Sequence, residues 1–382
     1  MNPSTFPPPD VVVVGAGVIG LSIAWRLRQG GASVVVVDRG EPAREASWAA
    51  AGILSPQGEA EGPGPLLDLC LRSEAMFPDF LRELEALSGL HCPYDRRGSL
   101  HLASNEEEAS RLEAQRAWQV AAGMAVEAWD PTTLRSEEPA VAHSFIAANF
   151  FPHSARVQPR LLCEALIAAM EKLGVQIRRG AVQAVERSDD GVVGVRIDDL
   201  LLQTSRVVVA AGAWSSLIVG TGLPSDAIEP VRGQLVRLDA PSPKLRRVVF
   251  AEGGYALPFT GSSVLAGSTT ERVGFDRHVT AEALAEIRQR FERICPGGAR
   301  VKEYWAGLRP ATRDGLPALG PTPIAGLHLA VGHYRNGILL APLTAMLVAE
   351  ALLSGAAQGQ TLSPSPESKA IPVPVAAARL YA

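Results

Sequence analysis

The stretch Val11-Val12-Val13-Val14-Gly15-Ala16-Gly17-Val18-Ile19-Gly20, read on as far as Asp38, decides the fold. Four β-branched residues in a row predict a buried parallel strand, apolar on both faces. Gly15, Gly17 and Gly20 follow as G-x-G-x-x-G. The first glycine permits a tight turn, and the second lets backbone approach a pyrophosphate. The third lets the next helix pack close to the strand. Apolar Leu21, Ala24, Trp25 and Leu27 recur at helical spacing, and Gly30-Gly31 marks a helix end. A second strand, Val34 to Val37, runs into Asp38, whose carboxylate can accept hydrogen bonds from an adenosine ribose. A lone G-x-G-x-x-G is a weak signal. Here strand, helix, second strand and acid stand where a dinucleotide site needs them, but this stretch alone does not separate NAD from FAD.

Length and charge bound the rest. The 382 residues carry 36 Lys and Arg against 40 Asp and Glu, net charge -4. That balance supplies no basic face for nucleic acid. The four cysteines, Cys70, Cys92, Cys163 and Cys295, are far apart and form no C-x-x-C. They argue against a disulfide frame or a metal site and for a reducing compartment. The opening MNPSTFPPPD lacks a basic segment followed by an apolar one, so no signal peptide is expected; its prolines predict a loose tail. The apolar run Ile338 to Leu353 contains Pro342, Thr344 and Glu350. It reads as too short and too interrupted for a bilayer and better as a buried helix. A soluble, cytoplasmic protein that does not engage a membrane is expected.

The remaining chain alternates between two patterns. Helices are expected at Leu66–Leu90, Glu106–Ala122, Leu161–Leu173 and Ala281–Ile294, with a short one from Pro131. Asp190-Gly191 signals a hairpin. RVVVAAGA at 206–213 is a second strand-to-glycine edge, as two βαβ halves around one cofactor would give. Between 230 and 267, VRGQLVRL, RRVVFAE, YALPF and SSVLAGS predict short antiparallel strands. The tail from Ser363 reads as mostly irregular. The expected fold class is α/β, α+β overall. A discontinuous Rossmann-like domain at 1–88, 152–220 and 305–382 is joined to an antiparallel-sheet, substrate-binding domain at 89–151 and 221–304. The run Ala49-Ala50-Ala51-Gly52 suits backbone lying flat on a cofactor or a tight helix contact.

The motifs VVVVGAGVIGLSIAWRL, SWAAAGIL, GVQIRRGAVQAVE, VVVAAGAWS, WAGLRPATRDGLPALG and GHYRNGILLAP together resemble the FAD-dependent D-amino-acid oxidase family. Within it they are most similar to the glycine oxidases of thiamine biosynthesis. The resemblance runs from about Val11 to about Leu352. It implies non-covalent FAD. Gly15, Gly17, Val18, Ile19 and Gly20 are implied at the pyrophosphate, and Asp38 and Arg39 at the ribose. Ala46, Ser47, Ala51, Gly52 and Ile53 are implied along the pyrophosphate and flavin, with Val182 at the adenine and Gly212 nearby. His333, Tyr334, Arg335, Asn336, Gly337, Ile338 and Leu339 are implied past the pyrimidine edge, where a helix N-terminus favours the negative charge of reduced flavin.

The stretch Arg309-Pro310-Ala311-Thr312 holds no cysteine that could tether the flavin, unlike that of some relatives. For catalysis the resemblance implies Arg309 as clamp on a substrate carboxylate, with Tyr255 and Arg335 beside it. A planar guanidinium suits a carboxylate because it holds it through two parallel bonds. Thr270 stands where relatives often carry methionine, so it is expected to alter the pocket. His333 is a candidate base, with His91 and His101 weaker ones; none is adopted, since hydride transfer from a neutral amine needs no strong base, and His333 reads as a packed residue of the flavin loop. The implied partners are a small amino-acid substrate and molecular oxygen, and relatives are often homo-tetramers. Two activities fit. One is an oxidase of glycine, sarcosine or small D-amino acids. The other is a D-amino-acid or proline dehydrogenase passing electrons to a quinone or partner subunit.

Overall fold

The computed structural model describes residues 7–239, 242–356 and 371–381. Most of the expected N-terminal tail and the stretch 357–370 lie outside the described residues. Val11–Val14 is central in a six-stranded sheet ordered Ala318–Pro321, Leu327–Val331, Val207–Val209, Val11–Val14, Val34–Asp38, Gln176–Arg179. Pairing is parallel throughout except at Ala318–Pro321. The alternation of the strand explains its four valines. Val11 and Val13 join the core under the helices Val18–Gln29, Pro159–Lys172 and Gly337–Ala356. Val12 and Val14 face a three-stranded antiparallel sheet of Val182–Ser188, Gly191–Ile197 and Leu200–Gln203. One face of the sheet is therefore covered by helices and the other by a second sheet.

The helical layer is fastened by aromatic packing. Trp25 is fully buried and meets Phe80 of the helix Pro65–Ser88 edge-on at 5.2 Å. Truncating a side chain of this size in a closed core costs about 3–5 kcal/mol. That helix ends where expected, on Gly89 in the left-handed conformation at φ 76°. The helix Gly337–Ala356 differs from expectation. Its surroundings from Tyr334 to Ser354 are long and apolar enough to cross a membrane by length and composition, so shortness does not exclude a span. In the folded chain it is mostly buried against its neighbours. It also continues through Pro342. Ser73 Oγ donates to the Leu339 carbonyl at 2.6 Å and accepts from Leu343 N at 3.3 Å, satisfying backbone groups beside the proline.

The second large sheet has eight strands in the order Val301–Ala311, Glu229–Asp239, Ser263–Gly267, Gly254–Pro258, Val248–Ala251, Ser99–Ala103, Ala147–Phe151, Glu127–Trp129. It corrects two expectations. The sheet is not wholly antiparallel: Val248–Ala251 runs parallel to Ser99–Ala103, where two distant segments of chain meet. The expected boundary at residue 305 falls inside Val301–Ala311. That strand pairs with Glu229–Asp239 along nearly its whole length and so belongs to this sheet as far as Ala311. A small sheet of Ile53–Leu54, Ala155–Val157 and Tyr94–Asp95 lies where the two parts join.

Candidate active site

One long cavity runs from the glycine turn to the eight-stranded sheet. At its first end Gly15 has φ 110°, and a Cβ there would stand 2.3 Å from the Ala210 carbonyl oxygen. The turn thus exists only with a bare Cα. Gly20 does not line the cavity; its Cβ would meet Gly15 O at 1.9 Å, so it serves helix–strand packing. The helix Val18–Gln29 has no acidic residue in its first turn and no cap from its own N-cap residue, Gly17. Among the described residues its positive end is met by Ser47 Oγ, which accepts from Val18 N at 3.0 Å. A diphosphate is the anion this geometry suits.

Asp38 does more than the sequence suggests. Its Oδ2 accepts from Ala16 N at 2.7 Å and its Oδ1 from Gly40 N at 2.8 Å. The carboxylate therefore pins the glycine turn, and Asp38 also lines the cavity. Arg39 stacks 3.7 Å over the Trp214 ring and pairs with Glu45 at 2.9 Å. Glu45 in turn pairs with Arg277 at 2.8 Å, and Phe275 lies 5.7 Å from Trp214. These five side chains, drawn from both large sheets' neighbourhoods, form a chain of contacts beside the nucleotide end, where Arg39, Glu45 and Trp214 line the cavity. Ala46, Ala51, Gly52, Ile53, Val182 and Gly212 line the wall further along.

The segment His333 to Leu339 forms the far wall. Tyr334–Asn336 is a 3-10 turn running into the helix that begins at Gly337. Tyr334 has φ 47°, a left-handed conformation uncommon for a non-glycine residue. His333 is buried with Nε2 3.0 Å from Thr344 Oγ1, and burial pushes its pKa down to about 3. It is a neutral packed residue. His101 lies against Phe250 at 4.4 Å and Phe151 at 5.1 Å, with its pKa also pushed to about 3 by burial. His91 is exposed, 2.8 Å from Glu85.

The end of the cavity at the eight-stranded sheet brings Arg309, Tyr255 and Arg335 together. Arg309 Nη1 donates to Thr269 O at 3.0 Å and Nη2 to Ser268 Oγ at 2.8 Å. Among the described residues it has no carboxylate within ion-pair distance. Burial lowers its pKa, opposed by Tyr255, yet a guanidinium stays charged. A cation left without an anion on a cavity wall is a receptor for one. Tyr255 is buried, and burial raises its pKa, so it faces the site as a neutral hydroxyl. Arg335, in contrast, already pairs with Glu59 at 3.0 Å.

Several residues that shape this end were not singled out in the sequence: Glu59, Ser268, and the strand glycines Gly233, Gly267 and Gly307. Cβ atoms on those glycines would strike Arg309, Tyr255 and Ala49 at 2.2, 2.8 and 2.5 Å. Glycine inside a strand signals close approach and could have marked them. Thr270 corrects an expectation: it is exposed and does not line the cavity, where Ser268 does. No cluster of three or more His, Cys, Asp or Glu able to hold a metal occurs among the described residues.

A parallel sheet with a glycine turn, opening on a cavity that ends at an arginine of an antiparallel sheet, defines a two-part dinucleotide-dependent oxidoreductase. The family described as DAO, FAD dependent oxidoreductase, matches residues 10–351, and the chain belongs to that family. It is similar to the glycine oxidase of Pseudomonas putida, 35% identical over 356 residues, 91% of this chain and 95% of that protein. It is similar to the bifunctional protein ThiO/ThiG of Trichormus variabilis, 35% identical over 349 residues, 89% of this chain. The chain spans 52% of that protein, about half its length. The crystal structure of glycine oxidase from Geobacillus kaustophilus superposes with a TM-score of 0.86 at 34% identity, covering 90% of this chain and 94% of that one.

Proposed function

We propose that this FAD-dependent enzyme is an oxidase of glycine and related small amines such as sarcosine or small D-amino acids. The carrying observation is Arg309, a charged guanidinium on the cavity wall with only neutral partners. The similarity to glycine oxidases supports the same reading. The net reaction for glycine is amino acid, oxygen and water to glyoxylate, ammonia and hydrogen peroxide. We also assign the product, by the resemblance, to thiazole formation for thiamine, in the cytoplasm.

In this reading Arg309 holds the substrate carboxylate and Tyr255 adds a hydroxyl contact. Gly15, Gly17, Val18, Ile19, Asp38, Arg39, Ala46, Ser47, Ala51, Gly52, Ile53, Val182, Gly212 and the segment His333–Leu339 hold FAD. FAD supplies acceptance of the hydride from the substrate Cα and transfer of two electrons to oxygen. The protein's part is orientation, because glycine has no side chain to fill a pocket. Neither neutral His333 nor His101 is needed as a base, since a neutral amine can release hydride. FAD is held without a covalent bond, Arg309 to Thr312 offering no thiol.

The test is anaerobic bleaching of the flavin by a panel of glycine, sarcosine, D-alanine and proline, followed by aeration. Bleaching by glycine, with peroxide formed in air without added acceptor, is expected. Bleaching that only a quinone reverses would replace the oxidase by the dehydrogenase.

A further inference from the structure

At the substrate end of the cavity the lining charges are two arginines and one acid: Arg309, Arg335 and Glu59. The other lining acids, Asp38 and Glu45, belong to the nucleotide end. Arg335 Nη2 donates to Glu59 Oε1 at 3.0 Å, while Arg309 has neutral acceptors alone. The two arginines are thus unequal. One is free to take an anion and the other is already neutralised. The net charge offered to a substrate is a single positive one.

Glu59 is not a stray loop residue. Its loop is gripped by the helix Glu106–Ala121. Gln119 Nε2 donates to Gln57 O at 2.9 Å, and Gln115 Nε2 donates to Gly58 O at 3.1 Å and Ala60 O at 3.2 Å. Gln119 is completely buried. The carbonyls on either side of Glu59 are therefore fixed from outside the site, and its carboxylate is held in place opposite Arg335.

We propose that Glu59 is a specificity-determining residue: by neutralising Arg335 it restricts the site to substrates with one carboxylate and excludes those with two. This rests on the carboxylate-clamp reading of Arg309 given above. Without the Glu59 charge, Arg335 becomes a second free guanidinium lining the same cavity, and a dicarboxylic amine gains a partner for its second carboxylate. The charge on Arg335 also acts on Arg309 and Tyr255, as do Glu59 and Arg335 on each other. The pair is one-third exposed on each side, so water and salt damp the effect without removing it.

The test compares wild type, Glu59→Gln and Glu59→Asp as FAD-loaded enzymes, with glycine and iminodiacetate as substrates. Expected is a rise of about tenfold in the kcat/KM ratio of iminodiacetate to glycine for Glu59→Gln, shrinking with added salt. Glu59→Asp, which keeps the charge, should stay within about twofold of wild type. Flavin content and melting temperature are measured to show that each variant folds. An unchanged ratio in Glu59→Gln overturns the proposal. Equal shifts in Glu59→Gln and Glu59→Asp also overturn it, because loop geometry rather than charge would be responsible. Binding of acetate and malonate, read from the flavin absorbance, tests the same charge filter without turnover. If wild type oxidises neither amine while malonate gains on acetate in Glu59→Gln, the proposed function fails and the filter stands.

Discussion

The guanidinium of Arg309 rests on the bare Cα of Gly233. A Cβ at that position would stand 2.2 Å from Nη2 and 2.3 Å from Cζ. Gly233 is opposite Gly307 in the strand register, two residues before the arginine, so the side chain folds back across its partner strand. Gly233→Ala should therefore displace the clamp without touching the cofactor end. A rise in KM for glycine of about tenfold or more is expected, from the loss of one aligned charged contact. Flavin content should remain that of the parent. Steady-state kinetics with absorbance at the flavin band check it, and an unchanged KM would mean that the guanidinium moves aside freely.

Arg309→Ala removes the free cation itself. The loss in kcat/KM for glycine should be about 2–5 kcal/mol, the cost of truncating one partner of a desolvated charged pair. Arg309→Lys should recover part of it, since an ammonium cannot form two parallel bonds. Amines without a carboxylate should be poor substrates of the parent and lose little more in the variant. Wild-type kinetics in Arg309→Ala would move the clamp elsewhere.

Asp38→Ala should act on the cofactor and on the apoprotein together. The carboxylate holds Ala16 N and Gly40 N, so its removal frees the glycine turn even before FAD binds. Losing charge-assisted bonds of this kind costs on the order of 1.5–3 kcal/mol. A lower apoprotein melting temperature and a Kd for FAD raised ten- to a hundredfold are expected. Turnover at saturating FAD should be nearly unchanged. Titration by flavin fluorescence quenching separates the two effects.

Much of the parallel sheet was legible because its signals are local. Valine runs, the three glycines and Asp38 sit within one βαβ unit, and each obeys short-range rules of turn and period. The helix Pro65–Ser88 and its Gly89 stop were legible for the same reason. The part of the strand Val301–Ala311 from residue 305 on was assigned to the other domain because its partner, Glu229–Asp239, lies some seventy residues away and pairing is not written in either strand alone. Arg309, Tyr255 and Arg335 were reached through a resemblance, not through spacing. Glu59 was missed since a lone acid in a loop most often is a solvated one. Its meaning appears only once the chain brings it against Arg335. Thr270 was overvalued because the expectation came from a position matched to relatives, and such a match does not say which way the strand end turns.

Buried neutral histidines make stability depend on pH. Burial pushes His101 and His333 down to about 3 and His328 down to about 4. Between these values and the ordinary value near 6.5 the unfolded chain binds more protons than the native one. Stability is therefore full above about pH 6.5 and falls as pH drops toward 4, by up to about 1.4 kcal/mol per pH unit for each histidine. Glu74 opposes this. Burial raises it to about 7, so it favours the folded state as pH falls from 7 toward its ordinary value. Burial also raises Glu138 and Glu350, but only Glu74 among these acids is moved as far as the three histidines, so a net loss on acidification is expected. Urea unfolding at pH 7, 6 and 5 should show it, and His333→Gln should flatten the slope. A stability that does not change over this range would mean that the histidines gain protons without unfolding.

Phe275 and Arg277, near neighbours in the chain, close the linked side chains Glu45, Arg39 and Trp214 into a ring that bears on retention of FAD. Arg39, Glu45 and Trp214 line the cavity, whereas Arg277 and Phe275 come from the stretch that follows Ser263–Gly267 in the other sheet. Arg277 reaches Glu45, and Phe275 reaches Trp214. The ion pair is exposed and contributes about 0.2–1 kcal/mol; the aromatic contact adds about 0.5–1.5 kcal/mol. Together they stabilise the closed ring by about 1–2 kcal/mol, which corresponds to roughly five- to thirtyfold in rate or affinity. The double variant Phe275→Ala/Arg277→Ala should release FAD faster by that factor on dilution, read as the recovery of free-flavin fluorescence. Oxidation of glycine at saturating FAD should be preserved, because neither side chain reaches Arg309. Equal release rates in the parent and the double variant would leave the ring as packing without a part in holding the cofactor. If Phe275→Ala alone accounts for the whole change, the aromatic contact closes the ring and the Arg277–Glu45 pair adds nothing measurable.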